Sequence, residues 1–188
     1  MFSLMRIKLI SGLVLLLLAF LSFQASAHDI SSFHTHDGKK KDDGIKHDPN
    51  LSIYTGMFDF SDDGKRSSLF GIQHQNEDLN RNTFLGNLSP ITGIMITADN
   101  ASYFYTGVEA NYKIGALNIT PSFAPGYYNE GDGKDLGHAL EFKSEVQLSL
   151  DMPKNSQFGF SYNHLSNASL GDKNPGANSY MFNFLKIF

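Results

Sequence analysis

His164 and Ser166 are the residues of this chain best suited to chemistry. They stand two apart in Tyr162-Asn163-His164-Leu165-Ser166-Asn167, ahead of a polar turn through Asn174-Pro175-Gly176. In an extended strand, residues two apart share a face, so the imidazole and the hydroxyl project side by side. Phe158, Phe160 and Tyr162 fall on the same face and offer an apolar groove beneath them. A serine nucleophile needs a base in reach, a group that orients the base, and donors for the developing oxyanion. The following strand runs antiparallel, so its first residues lie beside the end of the strand before it. Stepping back in twos from Phe184 through Phe182 and Tyr180 reaches Asn178, whose amide oxygen can accept the imidazole N–H. Asn167, Asn174 and the backbone amides between Asn167 and Gly176 are the natural oxyanion donors. The pattern fits a hydrolase acting on an apolar substrate. The same two residues also suit an ordinary polar barrel rim.

The rest of the chain must hold that hairpin in place. Arg6 and Lys8, the apolar run Leu9 to Phe23, and Ala25-Ser26-Ala27 have the layout of an export signal. Cleavage after Ala27 is expected, since the apolar stretch is short for a membrane helix and polar and small residues follow at once. Removing 27 of 188 residues leaves 161, enough for one domain. The signal carries two of the 15 basic residues and none of the 19 acidic ones, so 13 minus 19 gives a mature charge of −6. That balance argues against nucleic acid as a partner, because phosphate binding needs concentrated positive charge. The lack of cysteine removes disulfides, thiolate metal sites and thiol nucleophiles together.

Residues 28–50 are rich in His, Asp, Lys and Gly and poor in large apolar side chains, as expected of a loosely attached arm. His28, His34, His36 and His47 are candidate metal ligands there, although a solvated tail explains them as well. Past Pro49 the alternation becomes period two. Leu140, Phe142, Val146, Leu148 and Leu150 oppose Glu141, Lys143, Glu145, Gln147 and Ser149. Eight strands are predicted, near 51–60, 67–76, 84–98, 102–114, 116–127, 138–151, 156–166 and 178–188, with no helix after the signal.

Eight alternating strands of about ten residues suit a small antiparallel transmembrane β-barrel over 51–188, because a closed sheet satisfies every backbone group in lipid. A soluble barrel or sandwich is the alternative. Glu109, Glu141, Lys143 and Glu145 weigh against it, since a packed apolar core would not hold them. The final Phe188, in phase with Tyr180, Phe182 and Phe184, resembles the terminal signal read by the outer-membrane assembly machinery, with one departure at Lys186, where that signal usually has an apolar residue and an ammonium near the interface can snorkel. Location in the bacterial outer membrane, surrounded by its lipid, follows as an expectation.

Tyr162-Asn163-His164-Leu165-Ser166-Asn167-Ala168 and Asn174-Pro175-Gly176-Ala177-Asn178-Ser179-Tyr180 together resemble the lipid A 3-O-deacylases of the PagL family. The resemblance implies an eight-stranded outer-membrane barrel with a lipid-facing Ser-His-Glu triad, acting on lipid A or lipopolysaccharide without a metal or other cofactor. It implies Ser166 as nucleophile and His164 as general base, with Asn174 and the stretch from Asn167 to Ser169 at the oxyanion hole. The departure lies twelve residues after the serine, where the family has glutamate and this chain has Asn178. An asparagine can orient a histidine but adds no charge, and a carboxylate-to-amide change in a serine protease costs about four orders of magnitude. Asp172 and Glu145 are possible substitutes, the first in a loop and the second facing the lumen.

Two functions therefore follow from the sequence: a serine esterase removing the 3-O-linked acyl chain, or a non-catalytic barrel of structural or adhesive role that retains the motif. His74 and His138 read as rim or lumen residues. Glu130, Asp132 and Asp135 match no calcium loop. Gly56, Gly71, Gly93, Gly107 and Gly159 mark places where backbones approach closely.

Overall fold

A computed structural model describes residues 50–62, 64–76 and 79–187. The expected signal peptide, its cleavage site, nearly all of the 28–50 arm with its histidines, and the terminal Phe188 lie outside those residues.

The described residues form ten strands: β1 (Asn50–Phe58), β2 (Ser67–Gln75), β3 (Arg81–Thr83), β4 (Gly86–Thr97), β5 (Ser102–Ala110), β6 (Tyr112–Ile114), β7 (Leu117–Asn129), β8 (Leu140–Met152), β9 (Ser156–Ser166) and β10 (Ala177–Ile187). β2 and β3 both pair with β4, and β5 and β6 both pair with β7. Each of these couples is one interrupted staple of wall, so ten strands make eight. β1 pairs antiparallel with β10, from Asn50 opposite Ile187 to Met57 opposite Tyr180, and this closes the sheet.

The predicted spans need small corrections. The strand expected near 102–114 breaks at Asn111, and the one near 84–98 starts at Gly86, because Phe84 and Leu85 form its turn with β3. β3 itself was absent from the sequence prediction. The strand expected to reach residue 60 stops at Phe58, where Asp59 takes a left-handed φ of 49°.

Alternation sorts the side chains as anticipated. Phe104, Phe123, Leu148, Leu150, Phe158, Phe160, Phe182 and Phe184 are exposed on the outside. So continuous an apolar exterior has no place in water, and the closed sheet gives the backbone full satisfaction in lipid. Inside, Tyr54 reaches Tyr105 hydroxyl to hydroxyl at 3.1 Å, and Tyr105 donates to Gln73 Oε1 at 3.0 Å. Lys143 pairs with Glu145 at 3.0 Å and sits 4.1 Å from the centre of the Tyr105 ring. Gln73 donates to Glu109 Oε2 at 3.0 Å. The rings need room, and glycine supplies it: a Cβ on Gly71 would stand 2.1 Å from Tyr54 Cζ, and one on Gly93 2.4 Å from the Tyr105 hydroxyl.

The two ends of the barrel differ. Turns at 84–85, 115–116 and 153–155 are short, whereas 59–66, 130–139 and 167–176 at the other end are longer. Outer-membrane barrels keep short turns on the periplasmic side and long loops outside. The hairpin carrying His164 and Ser166 opens toward the long-loop end.

Candidate active site

Register decides what meets what. In β9, Phe158, Phe160 and Tyr162 are exposed and His164 and Ser166 half-buried, while Gly159, Ser161, Asn163 and Leu165 between them are buried. The imidazole and hydroxyl therefore sit on the lipid-facing side, in phase with the aromatic residues. β10 sets Asn178 directly opposite His164, and β8 sets Ser144 opposite His164 and Phe142 opposite Ser166.

The expected neighbours meet. His164 Nδ1 and Asn178 Oδ1 are 2.8 Å apart. An amide oxygen only accepts, so with Oδ1 in this position the ring nitrogen donates, and a neutral ring then keeps its lone pair on Nε2. Tyr162, expected only as groove wall, also donates to Asn178 Oδ1, at 2.7 Å. Gly176 holds the other edge of the ring. Its φ is +64°, and a Cβ there would lie 2.8 Å from His164 Cε1. Among the described residues, the Ser166 hydroxyl makes no hydrogen bond.

The turn after Ser166 has a different structure from the one the sequence implies. Asn167 is fully buried, and its Nδ2 donates to Leu136 O and to Lys173 O, both at 2.9 Å. Its backbone N–H goes to Asn174 Oδ1 at 3.1 Å, and its Oδ1 accepts from Ser169 N–H at 2.9 Å. The donors of Asn167 and the backbone N–H of Ser169 are thus spent on the protein. They frame a tight loop in which Ala168 and Ser169 both have positive φ. Asn174 keeps a donor: with Oδ1 fixed by Asn167, its Nδ2 is the free end of the amide.

That loop is docked on its neighbour. Asp135 pairs with Lys173, and a Cβ on Gly171 would be 2.3 Å from Gly137 O. The Lys173 ammonium, together with the Gly137 N–H at 2.7 Å, holds the Asp135 carboxyl below its usual range. Below the site the aromatic wall is continuous. Phe158 stacks on Phe182 at 6.4 Å and Phe160 on Tyr180 at 6.2 Å. Phe60, from the loop after β1, meets Tyr180 at 5.5 Å and Tyr162 at 6.3 Å. A cleft lined by Tyr127, Glu130, Leu136 and His138 contains none of the residues of this hairpin's outer face.

Comparison with known families matches residues 50–186 to the model of the lipid A 3-O-deacylases (PagL). This chain belongs to the PagL family. The crystal structure of the outer membrane enzyme PagL aligns with a TM-score of 0.57 at 17% identity, covering 74% of this chain and 99% of that one. A de novo designed transmembrane β-barrel aligns at 0.49 with 11% identity, over 74% of this chain and 95% of the design. The Yersinia pestis outer membrane protein Ail aligns at 0.44 with 13% identity, over 74% and 99%. No curated protein sequence matches significantly. The PagL family model ends within β10, so it spans the whole hairpin from His164 to Asn178. Membership makes the chain an outer-membrane lipid A deacylase by family.

Neither acid that the sequence offered as a substitute for the PagL glutamate is available to His164. Glu145 lies inside, paired with Lys143, and Asp172 is exposed in the loop. Asp59 is the carboxylate behind Asn178: its Oδ1 accepts the Asn178 backbone N–H at 3.3 Å, and Lys134 pairs with it. The sequence reading missed Asp59, Ser61 and Lys134. Closure of the barrel was the available signal, because it sets the end of β1 beside the start of β10.

Proposed function

We propose that this chain hydrolyses the 3-O-linked acyl ester of lipid A by a serine mechanism on the outer wall of the barrel. The observation that carries this reading is the 2.8 Å contact between His164 Nδ1 and Asn178 Oδ1, on the face that Ser166 shares. Ser166 Oγ attacks the ester carbonyl carbon while His164 Nε2 takes its proton. The tetrahedral oxyanion is met by Asn174 Nδ2. Collapse breaks the bond to the sugar oxygen, which leaves with the proton from His164. Water, activated by the same nitrogen, then releases the fatty acid from Ser166.

Position suits the substrate. The site opens at the long-loop end, the side on which lipopolysaccharide resides, and the aromatic wall of Phe158, Phe160 and Phe182 runs down from it. An acyl chain can lie along that wall without leaving the membrane. Asn178 in place of glutamate leaves the imidazolium without a neighbouring negative charge, so turnover below that of a glutamate-bearing relative is expected.

The test is to refold the full mature chain in detergent, incubate it with lipid A and read the lipid by mass spectrometry beside Ser166→Ala. Loss of a single 3-hydroxyacyl group, absent in the variant, is the expected result. An unchanged lipid in a folded sample, with a relative active in parallel, would leave the motif as an inherited remnant on a non-catalytic barrel.

A further inference from the structure

An amide beside a histidine raises a difficulty that a carboxylate does not, because its two ends are unlike. With Oδ1 toward the ring, Asn178 accepts from Nδ1–H and leaves Nε2 free to take the serine proton. With Nδ2 toward the ring, it donates to Nδ1 and drives the proton onto Nε2, where it blocks the chemistry. Something must set the amide the right way round.

The hydrogen bonds behind Asn178 do so. Nδ2 lies 3.0 Å from Ser61 Oγ. Ser61 Oγ lies 3.4 Å from Asp59 Oδ1, a long contact but one with a single possible direction. A carboxylate paired with a lysine only accepts, so the serine proton points to Asp59 and the serine lone pairs point to Asn178. Only Nδ2 can then face Ser61, and Oδ1 is left for His164. Tyr162 does not decide the matter, since a phenol can donate or accept; it fills the second lone pair of Oδ1. Backbone contacts hold the parts in register: Phe60 N–H donates to Asn178 O at 2.9 Å, and Asn178 N–H to Asp59 Oδ1 at 3.3 Å.

We infer that Asp59 and Ser61, on the loop after β1, are positioning residues that orient the Asn178 amide and so hold His164 in the tautomer able to accept the Ser166 proton. The buried carboxylate acts at two removes from the imidazole and keeps its charge on Lys134, away from lipid. This inference rests on the mechanism proposed above, in which Asn178 serves His164.

The experiment is a double-mutant cycle with two readouts on the refolded chain. The first is lipid A deacylation. The second is the ¹⁵N spectrum of the His164 ring above about pH 8, where an ordinary imidazole is neutral, assigned by difference from His164→Gln. Ser61→Ala in the native background is expected to lower kcat by about tenfold or more with KM little changed, as a share of the enzyme takes the wrong tautomer. It should also move ring signal from the Nδ1–H toward the Nε2–H form. Ser61→Thr, which keeps the hydroxyl, should restore both. With Asn178→Glu, whose two oxygens are alike, Ser61→Ala should cost less than about threefold.

Equal losses in both backgrounds would overturn the inference and reduce Ser61 to a loop support. So would an unchanged tautomer in the native background. If the wild type leaves lipid A intact, the function proposed above fails, while the ring spectrum still decides the orientation on its own.

Discussion

Two of the polar networks in this barrel differ in how they end. The inner one, of Tyr54, Gln73, Tyr105, Glu109, Lys143 and Glu145, gathers charged groups and satisfies them among themselves. The outer one runs from Lys134 and Asp59 through Ser61 and Asn178 and ends at the His164 ring, with no hydrogen bond onward to Ser166 among the described residues. A closed network fixes a structure; an open-ended one can act on something that is not yet there. Charge is divided in the same way. It gathers in the lumen, in the loops and, with Arg81 and Lys186, at the short-turn end of the wall, while the groups of the site, Asn178, His164 and Ser166, include no permanent ion.

The largest separation of the two should come from Ser166→Ala. Deacylation is expected to fall by about four to six orders of magnitude, with an unaltered heat-dependent shift on gels, because nothing inside depends on the hydroxyl. Lys143→Met attacks the other network. It strands Glu145 in the lumen and should cost about 3–5 kcal/mol in urea unfolding, while kcat of the folded fraction stays within a few-fold. A collapse of kcat in a still-folded Lys143→Met barrel would show that the networks are one.

Gly176→Ala is gentler and touches only the outer network. Left-handed φ disfavours alanine by about 1 kcal/mol, and the new Cβ must displace the imidazole edge, so kcat should drop about tenfold with little change in unfolding. The smallest effect concerns pH. The lowered Asp135 carboxyl contributes stability that is present above the unfolded value, about 3.9, and is lost as pH falls through its own lower value. Amide exchange in 167–176 should therefore stay protected down to about pH 4 and loosen below it. In Asp135→Asn it should already be looser at neutral pH.

Much of this arrangement was legible beforehand. Period-two alternation carries the face of every side chain, so the outward phase of His164, Ser166 and Asn178 followed from their aromatic neighbours. The same parity could have warned about Asn167: it is in step with Ser161, Asn163 and Leu165, all buried, and so turns inward to brace the loops. The break at Asn111 was not legible: β5 and β6 keep one register against β7, and no residue type announces the interruption. Asp59 and Ser61 are more than a hundred residues from Asn178 in sequence. Only the seam between β1 and β10 makes them neighbours, and local patterning is silent about seams.

Tyr54, Tyr103 and Tyr105, laid across the bore and all but inaccessible to water, have one more consequence. A tube so stoppered should pass no current when reconstituted in a planar bilayer. The cell can therefore place many copies of such a protein in its outermost barrier without making that barrier leak.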